Sequence, residues 1–292
     1  MIIRFSPMST VVPVIALLHP AARIGWQYFT VHWSTVAGLA ALATLYEWRS
    51  RVHAARAAQE RPTTVQRVLF ASGLLLMFFS LNGPLHDLSD YYLFGGHMVQ
   101  HLVLTLWVPP LLIAGTPGWM LRPALRRPWV AAIARRVATA PVAFVIFNVV
   151  ITVWHLPPMY NMAMAWHPVH IAQHLMFLVT ATLMWWPLLS PLPELPRLPY
   201  PGQILYCFLM SIPMSIVAVC IALADHVLYP AYSAAPRLWG ITPLADQQIG
   251  GLIMWVPGGL FFYIVMSVVF FRWSASGADH TAGAQVNWRP AH

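Results

Sequence analysis

The 292-residue chain is 59% hydrophobic and only 8% charged, with mean hydropathy +0.65. A soluble domain carries roughly 25% charged residues, so this composition excludes an ordinary soluble protein and places the chain in a membrane. The net charge of +8 comes from sixteen arginines and no lysine; these fall mostly in loops between apolar runs, which makes them a topology signal and not a nucleic-acid surface.

Residues 1–28 open with Arg4 and the apolar stretch Val11–Leu18, which Pro13 interrupts and which no small-x-small cleavage site follows. Crossing a bilayer takes about 20 apolar residues, so this stretch reads as an interfacial or re-entrant segment. Seven spans follow, at roughly 30–48, 67–84, 97–115, 140–157, 168–189, 203–223 and 247–271. The fold class is therefore all-α, a polytopic membrane bundle of seven transmembrane helices forming one domain over residues 29–273. A short polar tail, residues 274–292, is expected to be flexible, and its His280 and His292 are not counted as ligands. Thirteen arginines lie on one side of these spans, against Arg4, Arg23 and Arg237 on the other. By the positive-inside rule the amino terminus is outside and the carboxyl terminus inside. Cys207 and Cys220 share one apolar run with no Cys-x-x-Cys spacing, which gives no disulfide framework.

One short pattern occurs twice, as His97-Met98-Val99-Gln100-His101 and as His170-Ile171-Ala172-Gln173-His174, each opening an apolar run. Histidines four apart share a helix face, so each pair can present two imidazoles to one metal ion. Matching contexts, with a span, a histidine (His86 or His155) and an aromatic-rich loop ahead of each copy, suggest a parallel duplication. The other non-arginine ionisable groups gather at the same outer ends: His86, Asp87, Asp90, His155, His167, Asp225, His226 and Asp246. Ionisable groups in spans are costly and mark function, although outer histidines can also simply sit among wet headgroups. His97, His101, His170 and His174 are the expected ligands. His86, His155, His167, His226, Asp87, Asp225 and Asp246 are further candidates, and Gln100 and Gln173 either orient imidazoles or are plain helix-facing amides. Imidazoles suit zinc, copper, iron or nickel, and Met98, Met159, Met162, Met164 and Met176 add thioether that would favour Cu(I) if it were not simply packing. An enzyme is not expected. There is no His-Glu-x-x-His, phosphate loop or Gly-x-Ser-x-Gly, and no glutamate on the outer face.

The motifs Gly96-His97-Met98-Val99-Gln100-His101, Pro109-Pro110 with Ala114-Gly115-Thr116-Pro117, and Trp154-His155-Leu156-Pro157 resemble a known family. So do His170 to His174 and Asp246-Gln247-Gln248-Ile249-Gly250-Gly251. Over roughly residues 30–272 the chain is similar to the multi-spanning CtaG-type cytochrome c oxidase assembly factors of bacteria. The resemblance implies a cytoplasmic-membrane protein that matures a haem–copper oxidase by handling copper. An unrelated one-span copper chaperone shares the family's name but uses a cysteine pair, which this chain lacks. The expected partners are haem–copper oxidase subunits, a periplasmic copper donor, membrane lipid and, in a homo-oligomer, further copies of the chain. The alternatives are a membrane haem-binding or haem-handling protein with bis-histidine ligation, an intramembrane di-metal enzyme, and a transporter. Against haem stands the expectation that both histidine pairs lie at the outer edge with no deep pocket.

Overall fold

The computed structural model describes residues 25–56 and 61–286, with side chains placed for 25–52 and 61–276. Residues 1–24 of the expected segment 1–28, residues 57–60 and residues 287–292 lie outside the described residues. Every regular element among the described residues is helical: α1 (Trp33–Arg56), α2 (Thr64–Ser80), α3 (Pro84–Tyr91), α4 (Phe94–Gly115), α5 (Pro128–Val137), α6 (Ala140–His155), α7 (Pro157–Ala165), α8 (His167–Leu189), α9 (Tyr200–Ala222) and α10 (Pro243–Val286). Single helical turns at Trp26–Tyr28, Gly118–Leu121, Arg122–Arg126 and Pro230–Tyr232 complete them.

Each of the seven expected spans coincides with one helix, but only four (α4, α8, α9 and α10) are long and apolar enough to cross a membrane alone. The number rises to six if α2 with α3, bent by 45°, and α5 with α6, bent by 76°, are each one span. Length and charge explain the difference. At 1.5 Å per residue the 17 residues of α2 and the 16 of α6 reach only about 25 Å against a hydrocarbon core of about 30 Å. Helix α1 carries Glu47, Arg49 and Arg51 in its second half. Helix α10 continues to Val286 through residues expected in the flexible tail, and its 44 residues span about 66 Å.

Helix α4 lies at the centre, packed against α2, α3, α8 and α10, while α6 and α9 close the ring behind α8 and α10. Its middle is a π-helical stretch, Val103–Trp107, that the sequence imposes. Residues 109 and 110 are both proline, so the Thr105 carbonyl can find a donor neither four nor five residues on. The Trp185 indole of α8 donates to it instead, at 2.9 Å. A locally widened helix supported by a neighbour's side chain is a common way to build a site inside a bundle.

The arginine loops meet at the other end of the bundle. Arg49 donates to the Met120 carbonyl (3.0 Å), Arg122 pairs with Glu194 (2.7 Å), and Arg197 donates to the Ser190 carbonyl (2.8 Å). The arginine end and the histidine end are thus opposite poles of α4 and α8.

Candidate metal centre

The two histidine pairs face each other across the α4–α8 contact. His97 and His101 bring Nε2 to Nε2 at 2.7 Å, and the His97 ring stacks on His170 with centroids 5.3 Å apart. His101 and His174 centroids are 5.4 Å apart, and His170 and His174 are 4.4 Å apart. The donors fall into two groups whose ligand atoms all lie within 4.8 Å of one another: His97, His101 and His174, and Asp90, His97 and His170.

The centre lies far deeper than the outer-edge position expected from sequence, with His97 at 0% and His101 at 3% exposure. A long helix begins at each pair, but the short helices α3 and α7 and the loop at 223–242 fold over those beginnings. The loop is pinned by Gln247, which accepts from the Leu228 amide and donates to the His226 carbonyl, and by Gln248, which donates to the Ala224 carbonyl. Tyr229 closes it by donating to the His155 carbonyl (2.8 Å). The site is thus enclosed, and what disfavours haem is the spacing of the rings: His97 and His170, and His101 and His174, have centroids only 5.3 and 5.4 Å apart across the α4–α8 contact, which leaves no gap for a porphyrin plane between them.

Two tyrosines that sequence reasoning missed set the chemistry of His97. The Tyr232 hydroxyl donates its one hydrogen to the Ser89 carbonyl (2.7 Å) and so can only accept from His97 Nδ1 (3.1 Å) and from Tyr160 (3.0 Å). Burial pushes the Tyr232 hydroxyl well above its usual range, which keeps that hydrogen in place. His97 is thereby held as the Nδ1–H tautomer with the Nε2 lone pair directed at His101, as a ligand requires. His155 is fixed the same way. Its Nδ1 donates to the Ile151 carbonyl (2.7 Å), leaving Nε2 buried without a partner, and its ring lies 5.6 Å from His101. His101 Nδ1, His170 Nε2 and His174 Nε2 are also buried without hydrogen-bond partners. Unsatisfied buried nitrogens are expensive, and a cation is the partner that would satisfy several at once. The residues present fit a late first-row metal ion. Tyr232→Phe should release the His97 tautomer and weaken the affinity for any metal ion held there about 10- to 100-fold, measured by chelator competition; an unchanged affinity would show that Tyr232 only packs.

Asp90, grouped from the sequence with the outer ionisable residues but not among the expected ligands, lies among the donors, its Oδ2 3.5 Å from both His86 Nε2 and His170 Nδ1. Gln100 is an orienting amide: it donates to the Ser80 carbonyl (2.7 Å) and contacts His86 Nδ1 (3.3 Å). Gln173 is buried with neither amide atom partnered. His32, also missed, packs edge-on against His86 at 4.3 Å.

The remaining candidates lie elsewhere. Asp87 accepts from Thr30 (2.7 Å). Asp246 takes the backbone amides of Phe94 (2.7 Å) and Gly95 (3.0 Å), capping α4. Asp225 and His226 pair with each other in solvent (2.7 Å), and the hydrogen bond from His226 holds the Asp225 carboxyl below its usual range. His167 is exposed and within ring contact of His32 (6.4 Å). Of the methionines, Met98 packs in the core, and Met164 Sδ lies 3.8 Å from the Tyr232 hydroxyl. Cys220 is exposed and joins no donor group among the described residues.

An all-helical bundle with histidines, a carboxylate and buried tyrosines at one pole is the class of protein that this geometry defines. The sequence model of the family described as Cytochrome c oxidase caa3 assembly factor (Caa3_CtaG) matches residues 44–276. The chain belongs to that family. An uncharacterized protein of Mycobacterium bovis and one of Mycobacterium tuberculosis are each 27% identical over 198 residues, covering 62% of this chain and 30% of theirs. A third, from Mycobacterium leprae, is 23% identical over 229 residues, covering 73% of this chain and 34% of its own. The chain thus spans about a third of the length of the curated relatives it matches. No solved structure matches.

Proposed function

We propose that this chain serves cytochrome c oxidase assembly by holding copper, as cargo, at the histidine pole and passing it to an oxidase subunit. The observation that carries this reading is the set of buried imidazole nitrogens without partners, one of them (His155 Nε2) on a tautomer fixed by the Ile151 carbonyl, gathered around His97, whose own tautomer Tyr232 fixes. Neutral imidazoles bind copper well. The arginine-rich pole favours the cytoplasmic side, which supports seven crossings in all, an outside amino terminus and a centre facing the periplasm. A copper donor and the acceptor subunit would then both approach from the periplasmic side. The protein acts here as a carrier and not as a catalyst.

The test is elemental analysis of detergent-solubilised protein, wild type beside a variant with His97, His101, His170 and His174 all changed to alanine. The expected result is copper at one or two equivalents in the wild type and none in the variant, with helix content unchanged by circular dichroism. Iron or zinc in place of copper, or no metal in either protein, would overturn the copper assignment.

A further inference from the structure

We propose that the pole holds two distinct cation positions, an outer one built on Asp90 and an inner one built on His101. This rests on the copper reading above and deepens it. The donors already divide geometrically: Asp90 sits with His97 and His170, while His97, His101 and His174 form the other group. The two surroundings differ in chemistry and in access.

The outer position has a carboxylate. Asp90 Oδ2 stands 3.5 Å from His86 Nε2 and 3.5 Å from His170 Nδ1, so the oxygen is shared between imidazoles on two different helices. His86 and His170 are 6% and 5% exposed, and each keeps an Nε2 with no hydrogen-bond partner. Both line a cavity of about 410 Å³ between α1, α2, α4 and α8, whose remaining walls include His32, His167 and His174. An ion reaching the pole from that side meets His86, His170 and His174 in the wall, and Asp90 Oδ2, which does not itself line the cavity, stands 3.5 Å from a nitrogen of each of the first two. A carboxylate with two imidazoles is a mixed oxygen and nitrogen site that exchanges ions readily.

The inner position is all nitrogen. His97, His101 and His155 do not line the cavity. His97 Nε2 and His155 Nε2 both present lone pairs on fixed tautomers, and His101 lies between these two rings at 4.2 Å and 5.6 Å. His174 borders both regions, lining the cavity and grouping with His97 and His101. Loading therefore runs from the outer position inward. His97, common to both groups, lets an ion change partners one ligand at a time without leaving protein, and no electron transfer is required.

The alternative is that Asp90 only orients the His170 ring, as carboxylates beside metal-bound histidines often do. Stoichiometry separates the two. Purified full-length protein is equilibrated with Cu(I) under anaerobic conditions, and bound copper is counted for wild type, Asp90→Asn and His101→Ala. Two equivalents in the wild type and one in each single variant are expected. Filling the wild type with Cu(II) should add a half-field electron paramagnetic resonance transition from a coupled pair, absent from both variants. Saturation of the wild type at one equivalent, with no half-field signal, would overturn the two-position inference and leave copper handling standing. No copper in the wild type would remove both. The wild-type count and spectrum decide the matter even if a variant fails to fold.

Discussion

Replacing Asp246 by alanine is expected to lower the stability of the protein by about 3–5 kcal/mol, the sum of two hydrogen bonds from buried amides to a charged acceptor. Asp246 opens α10, yet its carboxylate serves α4, accepting from the amides of Phe94 and Gly95 at 2.7 and 3.0 Å while itself only 2% exposed. Neither amide has an acceptor within its own helix, because the first turn of any helix leaves its amides unpaired. A negative charge at that end also matches the helix dipole. Alanine would leave both amides buried and unpaired. His97 follows Gly95 by two residues, so fraying there displaces the first of the proposed ligands. Asp246→Asn keeps one carbonyl acceptor but loses the charge and should retain roughly half of the stabilisation. Thermal unfolding in detergent, followed beside copper occupancy, reads both effects. Equal midpoints for Asp246→Ala and wild type would show that water reaches the start of α4 and that the carboxylate is dispensable.

The sequence announces much of this pole. Two His-x-x-Gln-His copies could be paired from spacing alone because an α-helix repeats every 3.6 residues, and the structure sets them ring against ring. It also repeats the surrounding unit: α2, α3 and α4 on one side, α6, α7 and α8 on the other, each a long helix, a short one, and a helix led by histidines. What spacing does not carry is depth and direction. The chain folds α3, α7 and the loop at 223–242 back over the helix starts, which turns an outer rim into a buried core. Asp90 and Tyr232 meet the histidines through that folding, and no local pattern reports such separations: Asp90 precedes His170 by 80 residues, and Tyr232 follows His97, whose Nδ1 it contacts, by 135. Asp246 was visible as a polar residue in an apolar setting, but polarity alone does not separate a ligand from a helix cap. Thr105, by contrast, was decided locally, since Pro109 and Pro110 remove both donors that its carbonyl could use.

The glycines that follow Asp246 give the second large effect, and its sign depends on position along one helix. A Cβ on Gly251 would stand 2.6 Å from the Ala222 amide nitrogen and 2.8 Å from its Cα, backbone atoms of α9 that cannot turn aside. Helices α9 and α10 form the most extensive pairing in the bundle, and within a membrane close backbone approach through small residues is what holds such a pair. Gly251→Ala should therefore cost about 1–3 kcal/mol as the helices are forced apart, and Gly251→Val more. Gly259, eight residues further along the same helix, has nothing within 4 Å of its would-be Cβ. There alanine should be neutral or stabilising by up to about 1 kcal/mol through helix propensity. Gly250 is the third case. Its Cβ would meet the Phe94 ring at 2.3 Å, and that ring stacks on Tyr229 at 4.6 Å in the loop that covers the centre. Gly250→Ala should thus lower copper retention as well as stability, whereas Gly251→Ala at matched copper loading should lower stability alone. Unfolding midpoints that fall equally for Gly251→Ala and Gly259→Ala would mean that the α9–α10 crossing relaxes freely, and that the Gly250-Gly251 pair is not what sets its distance.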